Sequence, residues 1–181
     1  IVFGNYDYVI SDKNKPTVSL SSMNCNITST EEDAWNKLFL NSFFASPCNK
    51  IFLREILVQY GIRFDTECVC YEDYIFNVEY CKHIEHFIVS DKPLYYYRQF
   101  ANVSHTSKRR WGEFLAITHK VVSVTNSFIE LKGNAETLKD LRRYSYQSYL
   151  VELIAVRERG DKLYDREKMV MKDKYFQESL Y

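Results

Sequence analysis

The chain has 181 residues, 46% hydrophobic and 27% charged, with 24 basic and 24 acidic side chains and no net charge. That length supports one domain with a real core, and the composition is that of a soluble globular protein rather than a disordered one. A broad basic footprint for nucleic acid is not expected, which leaves room only for a local patch; no apolar run approaches the ~20 residues of a membrane span, and the opening residues do not read as a signal peptide.

The first residues, IVFGNYDYVI, read as a strand. SDKNKP, closed by Pro16, is a polar turn, and residues 17 to 28 hold either a short β segment or an extended loop. STEEDAWNKLFLNSFFA then begins a helix. Ser29 and Glu32 have capping-box spacing, and Trp35, Leu38, Phe39 and Phe43 form its apolar stripe. In SPCNKIFLREILVQYG, Pro47 starts a new segment, Ile51, Ile56 and Leu57 give an apolar face, and Gly61 is the helix stop.

IRFDTECVC is expected to be extended, and EDYIFNVEYCKHI to be a short helix opening at the acid pair Glu72 and Asp73. HFIVSDKPLYYYRQF reads as two strands around a Ser-Asp-Lys-Pro turn. From Lys108 the texture becomes helical: Trp111, Phe114, Leu115, Thr118, Val122, Thr125 and Phe128 repeat at helical spacing until Lys-Gly-Asn breaks the run. A second long helix carries Leu138, Leu141, Tyr144, Val151 and Ile154 and ends at Gly160, before a charged, aromatic helical tail.

Five cysteines (Cys25, Cys48, Cys68, Cys70, Cys81) are an odd number without small-scaffold spacing, which favours a reducing compartment. The N-x-S/T triplets at Asn26 and Asn102 are then chance matches. Cys68, Cys70, Cys81, His83 and His86 lie close enough in sequence to suggest zinc. Cys81 and His83 stand about 200° apart on a helix, however, and no paired C-x-x-C pattern is present, so a zinc site is not expected.

Three segments, PCNKIFLREILVQYGIRFD, YEDYIFNVEY and KPLYYYRQFANVSHTS, carry a resemblance. In order and spacing they are similar to the second half of a bacterial family 2 glycosyltransferase with the GT-A fold. That family reads P-W-N-K-[LI]-[FY]-x-R, then G-E-D-x-x-F-N, then K-P-L-Y-x-Y-R with a serine shortly beyond. The matching residues are Pro47, Asn49, Lys50, Arg54, Glu72, Asp73, Phe76, Asn77, Pro93, Tyr95, Tyr97, Arg98 and Ser104. Cys48 stands in place of the usual Trp, and Tyr71 in place of the usual Gly.

The resemblance implies an α/β fold: a partial GT-A (Rossmann-like) sheet that lacks its N-terminal nucleotide-binding half. Residues 1–107 would form the acceptor side of the catalytic domain, and residues 108–181 a helical C-terminal extension. It also implies sugar transfer, with inversion, from a nucleotide-sugar donor to a glycan or lipid-linked acceptor in cell-surface polysaccharide synthesis. A divalent metal, Mg or Mn, is expected in the full-length enzyme, held mostly by the preceding half; no metal ligand is assigned in this fragment, which alone would be inactive. The implied setting is cytoplasmic and peripheral to the inner membrane face, with a homo-oligomer as a further expectation.

Residue by residue, the resemblance makes Asp73 the general base and Glu72 its neighbour. A base must lie within about 3 Å of the acceptor hydroxyl and be ionised at working pH, which an Asp of ordinary pKa ~3.9 satisfies. Without the flanking motifs, the same pair would read as acids favouring a helix amino end. Arg98, Ser104 and His105 fall where the family places a loop over the donor phosphates, and surface roles for Arg98 and His105 stay open beside that one. Asn49, Lys50 and Tyr71 are assigned to the acceptor or the site wall. The rival from another class is a noncatalytic α/β interaction module whose helical end binds a partner or drives oligomerisation.

Overall fold

Val2–Asp12 (β1) is the organising strand of a four-stranded sheet. The structure is a computed structural model describing residues 2–12, 15–20, 33–40, 43–68, 70–99, 111–132 and 171–179. Lys15–Leu20 (β2) folds back antiparallel on β1, pairing Asp12 with Lys15 and Asp7 with Leu20. Of the two readings of the stretch after Pro16, the β segment is the one seen as far as Leu20, and it begins inside the expected polar turn, with Pro16 opposite Ser11. Lys50–Ile51 (β3) pairs antiparallel with Phe3 and Val2, and Ile88–Gln99 (β4) runs parallel to β1 from Val2 to Ile10. Since β4 holds one edge of β1 along most of its length, β2 and β3 share the other edge.

β4 corrects one expectation. The Ser-Asp-Lys-Pro stretch is not a turn between two strands but part of a single strand, whose pairing with β1 slips between Phe3 and Asn5 and again between Asn5 and Tyr6. Pro93, opposite Asn5, sits at that irregularity. A proline has no N–H to give to a ladder, and a bulge is where a strand tolerates one.

Between β1 and β4 the chain crosses over through three helices. Ala34–Leu40 (α1) begins beside Asp33, whose carbonyl accepts the Lys37 N–H at 3.0 Å and whose carboxylate pairs with the Lys37 ammonium at 3.1 Å. The capping residues expected upstream, Ser29 and Glu32, lie outside the described residues. The apolar stripe forms as expected, with Leu38 and Phe43 buried and the Trp35 ring packed edge-on against Phe87 (4.7 Å) and Phe128 (5.5 Å). Phe43 itself belongs to the turn after α1.

Arg54–Gln59 (α2) ends as the glycine predicted: Gly61 has φ +63°, Gly61 N–H donates to Val58 O, and Ile62 N–H donates to Leu57 O at 3.0 Å. That paired closure at a left-handed glycine satisfies two terminal carbonyls of the helix. The next stretch is not extended throughout, as expected from its sequence, but turns at Asp65. The Asp65 carboxylate accepts the Glu67 N–H at 2.9 Å, a local bond that competes with a strand.

Glu72–Cys81 (α3) opens at the acid pair and buries Ile75, Phe76, Asn77, Val78, Tyr80 and Cys81. Trp111–Lys132 (α4) packs against it, with Ile117, Thr118, Val122, Thr125, Phe128 and Ile129 buried. The Tyr74 and Thr125 hydroxyls join the two helices at 2.8 Å, and Lys120 forms an ion pair with Asp65. The core centres on Phe3, whose ring meets Phe43, Phe44 and Phe87 edge-on at 5.6 to 6.3 Å.

The chain divides into two compact units, Ile1–Lys132 and Gly133–Tyr181. Of the second, Lys174–Ser179 (α5) is described: Asp173 Oδ1 accepts the Phe176 N–H at 3.1 Å, capping a helix that buries Phe176. The long helix expected over residues 138 to 160 lies outside the described residues. Among the described residues, no helix is long and apolar enough to cross a membrane.

Candidate functional site

Asp73, Phe76, Asn77 and Tyr80 recur at intervals of three and four, so they share one stripe of α3. Three of them bind the segment from Phe44 to Leu53. Asn77 Nδ2 donates to the Phe44 carbonyl at 2.8 Å, and Tyr80 Oη accepts the Leu53 N–H at 2.9 Å. The Phe52 ring meets both Phe76 (5.3 Å) and Tyr80 (4.9 Å) edge-on. Asp73 continues the same stripe toward the amino end of the helix.

Lys50 is buried, with Nζ donating to the Ser46 carbonyl and to Asn49 Oδ1 at 2.6 Å. The ammonium also lies 5.4 Å from the Phe3 ring centroid, within range of a cation–π attraction. Burial pulls the Lys50 pKa down to about 7; the neighbouring Cys81, Cys48 and Asp73 act in the opposite direction. Asn49, itself buried, holds the lysine through its side-chain oxygen.

Asp73 is half-buried. Its pKa is raised, first by desolvation and then by the adjacent Glu72 charge, while Lys50 acts to lower it. Each of Lys50 and Asp73 favours the charged form of the other.

Neither acid is the N-cap of α3. That position is Tyr71, in a left-handed conformation (φ 63°, ψ 6°) and without a side-chain capping bond. Glu72 and Asp73 lie in the first turn, where the helix dipole favours negative charge by about 0.3–1 kcal/mol. Tyr71 stands where the resembled family has glycine, the residue that adopts this conformation without steric cost.

The structure thus sets Asn49 against Lys50, with Asp73 among the charges that act on Lys50 and with Glu72 and Tyr71 beside Asp73 in the chain. Arg98 is farther along the sheet. It pairs with Val9 of β1, whereas Lys50 pairs with Phe3, and the rise of a strand puts roughly 20 Å between those positions. Ser104 and His105 lie outside the described residues. Asn77 and Tyr80 are the two positioning residues that motif matching leaves without a role, although their spacing from Asp73 was a signal for one.

Among the described residues no group of three or more His, Cys, Asp or Glu is arranged to hold a metal ion. Cys81 is fully buried, while His83 and His86 are exposed, and His83 stacks on the Tyr60 ring at 3.7 Å. Comparison of the chain with protein-family models, with curated proteins and with solved structures finds no match.

Proposed function

We propose that this chain supplies the acceptor side of a GT-A glycosyltransferase of the family 2 type, with Asp73 as general base. The observation that carries this is the placement of Asp73: a half-buried carboxylate on the α3 stripe that binds the Phe44–Leu53 segment, with a buried lysine acting on it. A carboxylate of raised pKa is a better proton acceptor than a solvated one, provided it remains ionised at working pH.

In this reading the acceptor hydroxyl gives its proton to Asp73 as its oxygen attacks the anomeric carbon of the donor sugar. The bond from that carbon to the diphosphate oxygen breaks, and the nucleoside diphosphate leaves with the electron pair, inverting the centre. Glu72 keeps a second negative charge beside the base, and Asn49, Lys50 and Tyr71 shape the wall. Arg98, Ser104 and His105 are assigned to the donor phosphates, which need positive charge and hydrogen-bond donors as they depart. The nucleotide and a divalent Mg or Mn ion belong to a preceding nucleotide-binding half, where the metal would neutralise diphosphate charge. The acceptor is a glycan or lipid-linked saccharide, which places the enzyme at the inner membrane face, with the helices after Lys108 available for peripheral contact or self-association.

The test is Asp73→Asn in the intact enzyme. Transfer should fall by about 10²–10⁴-fold, the usual contribution of a general base, while nucleotide-sugar binding stays unchanged. An Asn variant that transfers sugar at the parental rate removes the assignment.

A noncatalytic interaction module is the second reading. It is favoured by the exposed Leu53, Val58, Tyr60 and Phe64 along and after α2, since apolar surface of that kind marks contact sites. An intact protein that binds no nucleotide sugar, with or without Mn²⁺, would decide for it.

A further inference from the structure

Three contacts along α4 reach the elements of the candidate site. The Phe128 ring packs edge-on against Phe44 (5.4 Å), the residue whose carbonyl Asn77 holds. Thr125, fully buried, meets the Tyr74 hydroxyl at 2.8 Å. Lys120 forms an ion pair with Asp65. From Lys120 to Phe128 the helix rises roughly 12 Å, and it lies in the same compact unit as the sheet and α3.

The two polar contacts bracket the corner that carries the acids. Tyr74 follows Asp73 directly in α3, and Asp65 begins the turn that leads toward Tyr71 and Glu72. Thr125 gives its one hydroxyl proton to the Val121 carbonyl (2.6 Å), so the bond between the two hydroxyls is donated by Tyr74 and accepted by Thr125. Asp65 is a junction as well. One carboxylate oxygen accepts the Glu67 N–H at 2.9 Å, and the other takes the Cys68 thiol (3.4 Å) and the Lys120 ammonium. Cys68 N–H closes the same turn on Asp65 O at 3.3 Å. The two ends differ in exposure: Thr125 is fully buried, whereas the Lys120 side chain is 45% exposed, so salt screens only the second.

We propose that α4 sets the position of the acid-bearing corner, with Thr125 and Lys120 as positioning residues that fix its two ends. Its meaning for catalysis rests on the reading of Asp73 as the base, but the fixing of the corner is measurable without any transfer reaction. A helix that only covered the core would need no more than apolar side chains toward it, such as Ile117, Val122 and Ile129. A fully buried hydroxyl on that helix, matched to a tyrosine one residue past Asp73, is costly to bury without its partner and so selects one placement of α3.

The test follows backbone amide hydrogen exchange by NMR in the 181-residue chain and its variants. Glu67 and Cys68 report the Asp65 end, and Ile75, whose N–H donates to Tyr71 O at 2.9 Å, reports the Tyr74 end. Lys37 and Ile62 serve as references elsewhere in the unit. Thr125→Val should accelerate Ile75 by roughly 2- to 10-fold with the references unchanged, and Thr125→Ser should restore it. Tyr74→Phe, at a half-buried position, removes the same bond from the other side and decides this arm if Thr125→Val does not fold. Combining the two should add nothing to either alone. Lys120→Met, at an exposed position, should accelerate Glu67 and Cys68 by roughly 2- to 5-fold, as should about 1 M salt in the parent. In the intact enzyme, Thr125→Val should lower kcat by roughly 10-fold at an unchanged KM for the nucleotide sugar. Exchange that is unaltered in either arm, or accelerated equally at the references, overturns the proposal. Parental kcat in Thr125→Val, where Asp73→Asn is inactive, overturns it too. Local acceleration together with an Asp73→Asn enzyme that still transfers sugar leaves the positioning established and refutes only the base.

Discussion

Tyr71 holds a backbone conformation that side chains bearing a Cβ adopt at a cost of about 1–2 kcal/mol. It does so immediately before the two acids, so the direction in which α3 departs, and with it the placement of Asp73, depends on a left-handed residue. Asn tolerates that conformation and a β-branched residue does not. Tyr71→Asn should therefore be more stable than Tyr71→Val by about 1 kcal/mol in urea unfolding; both variants lose the ring, so its packing cancels in the comparison. Equal stabilities would mean that the backbone relaxes when the tyrosine is removed. The resemblance marks position 71 as a departure from glycine, but the cost of that departure is visible only in the φ angle.

At the scale of elements, α3 is the clamp. It holds the Phe44–Leu53 segment by two hydrogen bonds of unequal exposure, which predicts unequal costs. Asn77→Ala leaves the buried Phe44 carbonyl without its donor and should cost about 2 kcal/mol. Tyr80→Phe removes only the hydroxyl that accepts the N–H of the exposed Leu53 and should cost about 1 kcal/mol. Chemical denaturation of the two variants checks the order, and the reverse order would mean that Leu53, not Phe44, is the critical attachment. Helix starts and stops were legible in the sequence where a local residue dictates them, as at Gly61 and at the Glu72–Asp73 pair. The single long β4 was not legible, because Ser-Asp-Lys-Pro has turn chemistry and only its pairing with β1 makes it a bulge. The turn at Asp65 was missed for the opposite reason: aromatic and β-branched neighbours suggest a strand, but one carboxylate bonds its own backbone.

For the molecule as a whole, Lys50 makes stability depend on pH. Its folded pKa is about 7 against an ordinary value of 10.5. Between these values the unfolded chain binds the extra proton, so stability rises with pH across that window and the full penalty of the buried charge applies below it. The urea midpoint should increase from pH 7 to 9, and Lys50→Met should flatten that increase. Cys81 opposes the trend above its ordinary pKa of 9.0, because burial pushes its thiol up to about 12; the measurement therefore stops at pH 9. A parental midpoint that is level from pH 7 to 9 would show that Lys50 is solvated in the native state. The surroundings of Lys50 were half legible in advance: the motifs pointed to Asn49, Lys50, Glu72 and Asp73, but no spacing could show that Lys50 is buried against Ser46 O, Asn49 Oδ1 and the Phe3 ring.

The interior position of Cys81 gives the protein a built-in clock. Its thiol is fully buried and Cys70 nearly so, whereas Cys48 and Cys68 are partly accessible. A thiol reagent can reach Cys81 only when α3 lifts from the core, so its labelling reports how often that helix opens, while Cys48 and Cys68 react on the timescale of the closed state. In a Cys70→Ser background, which removes the other buried thiol, a fast reagent in excess makes the slow phase read the opening rate directly; if the reagent is dilute, the same phase reads the free energy of the open form.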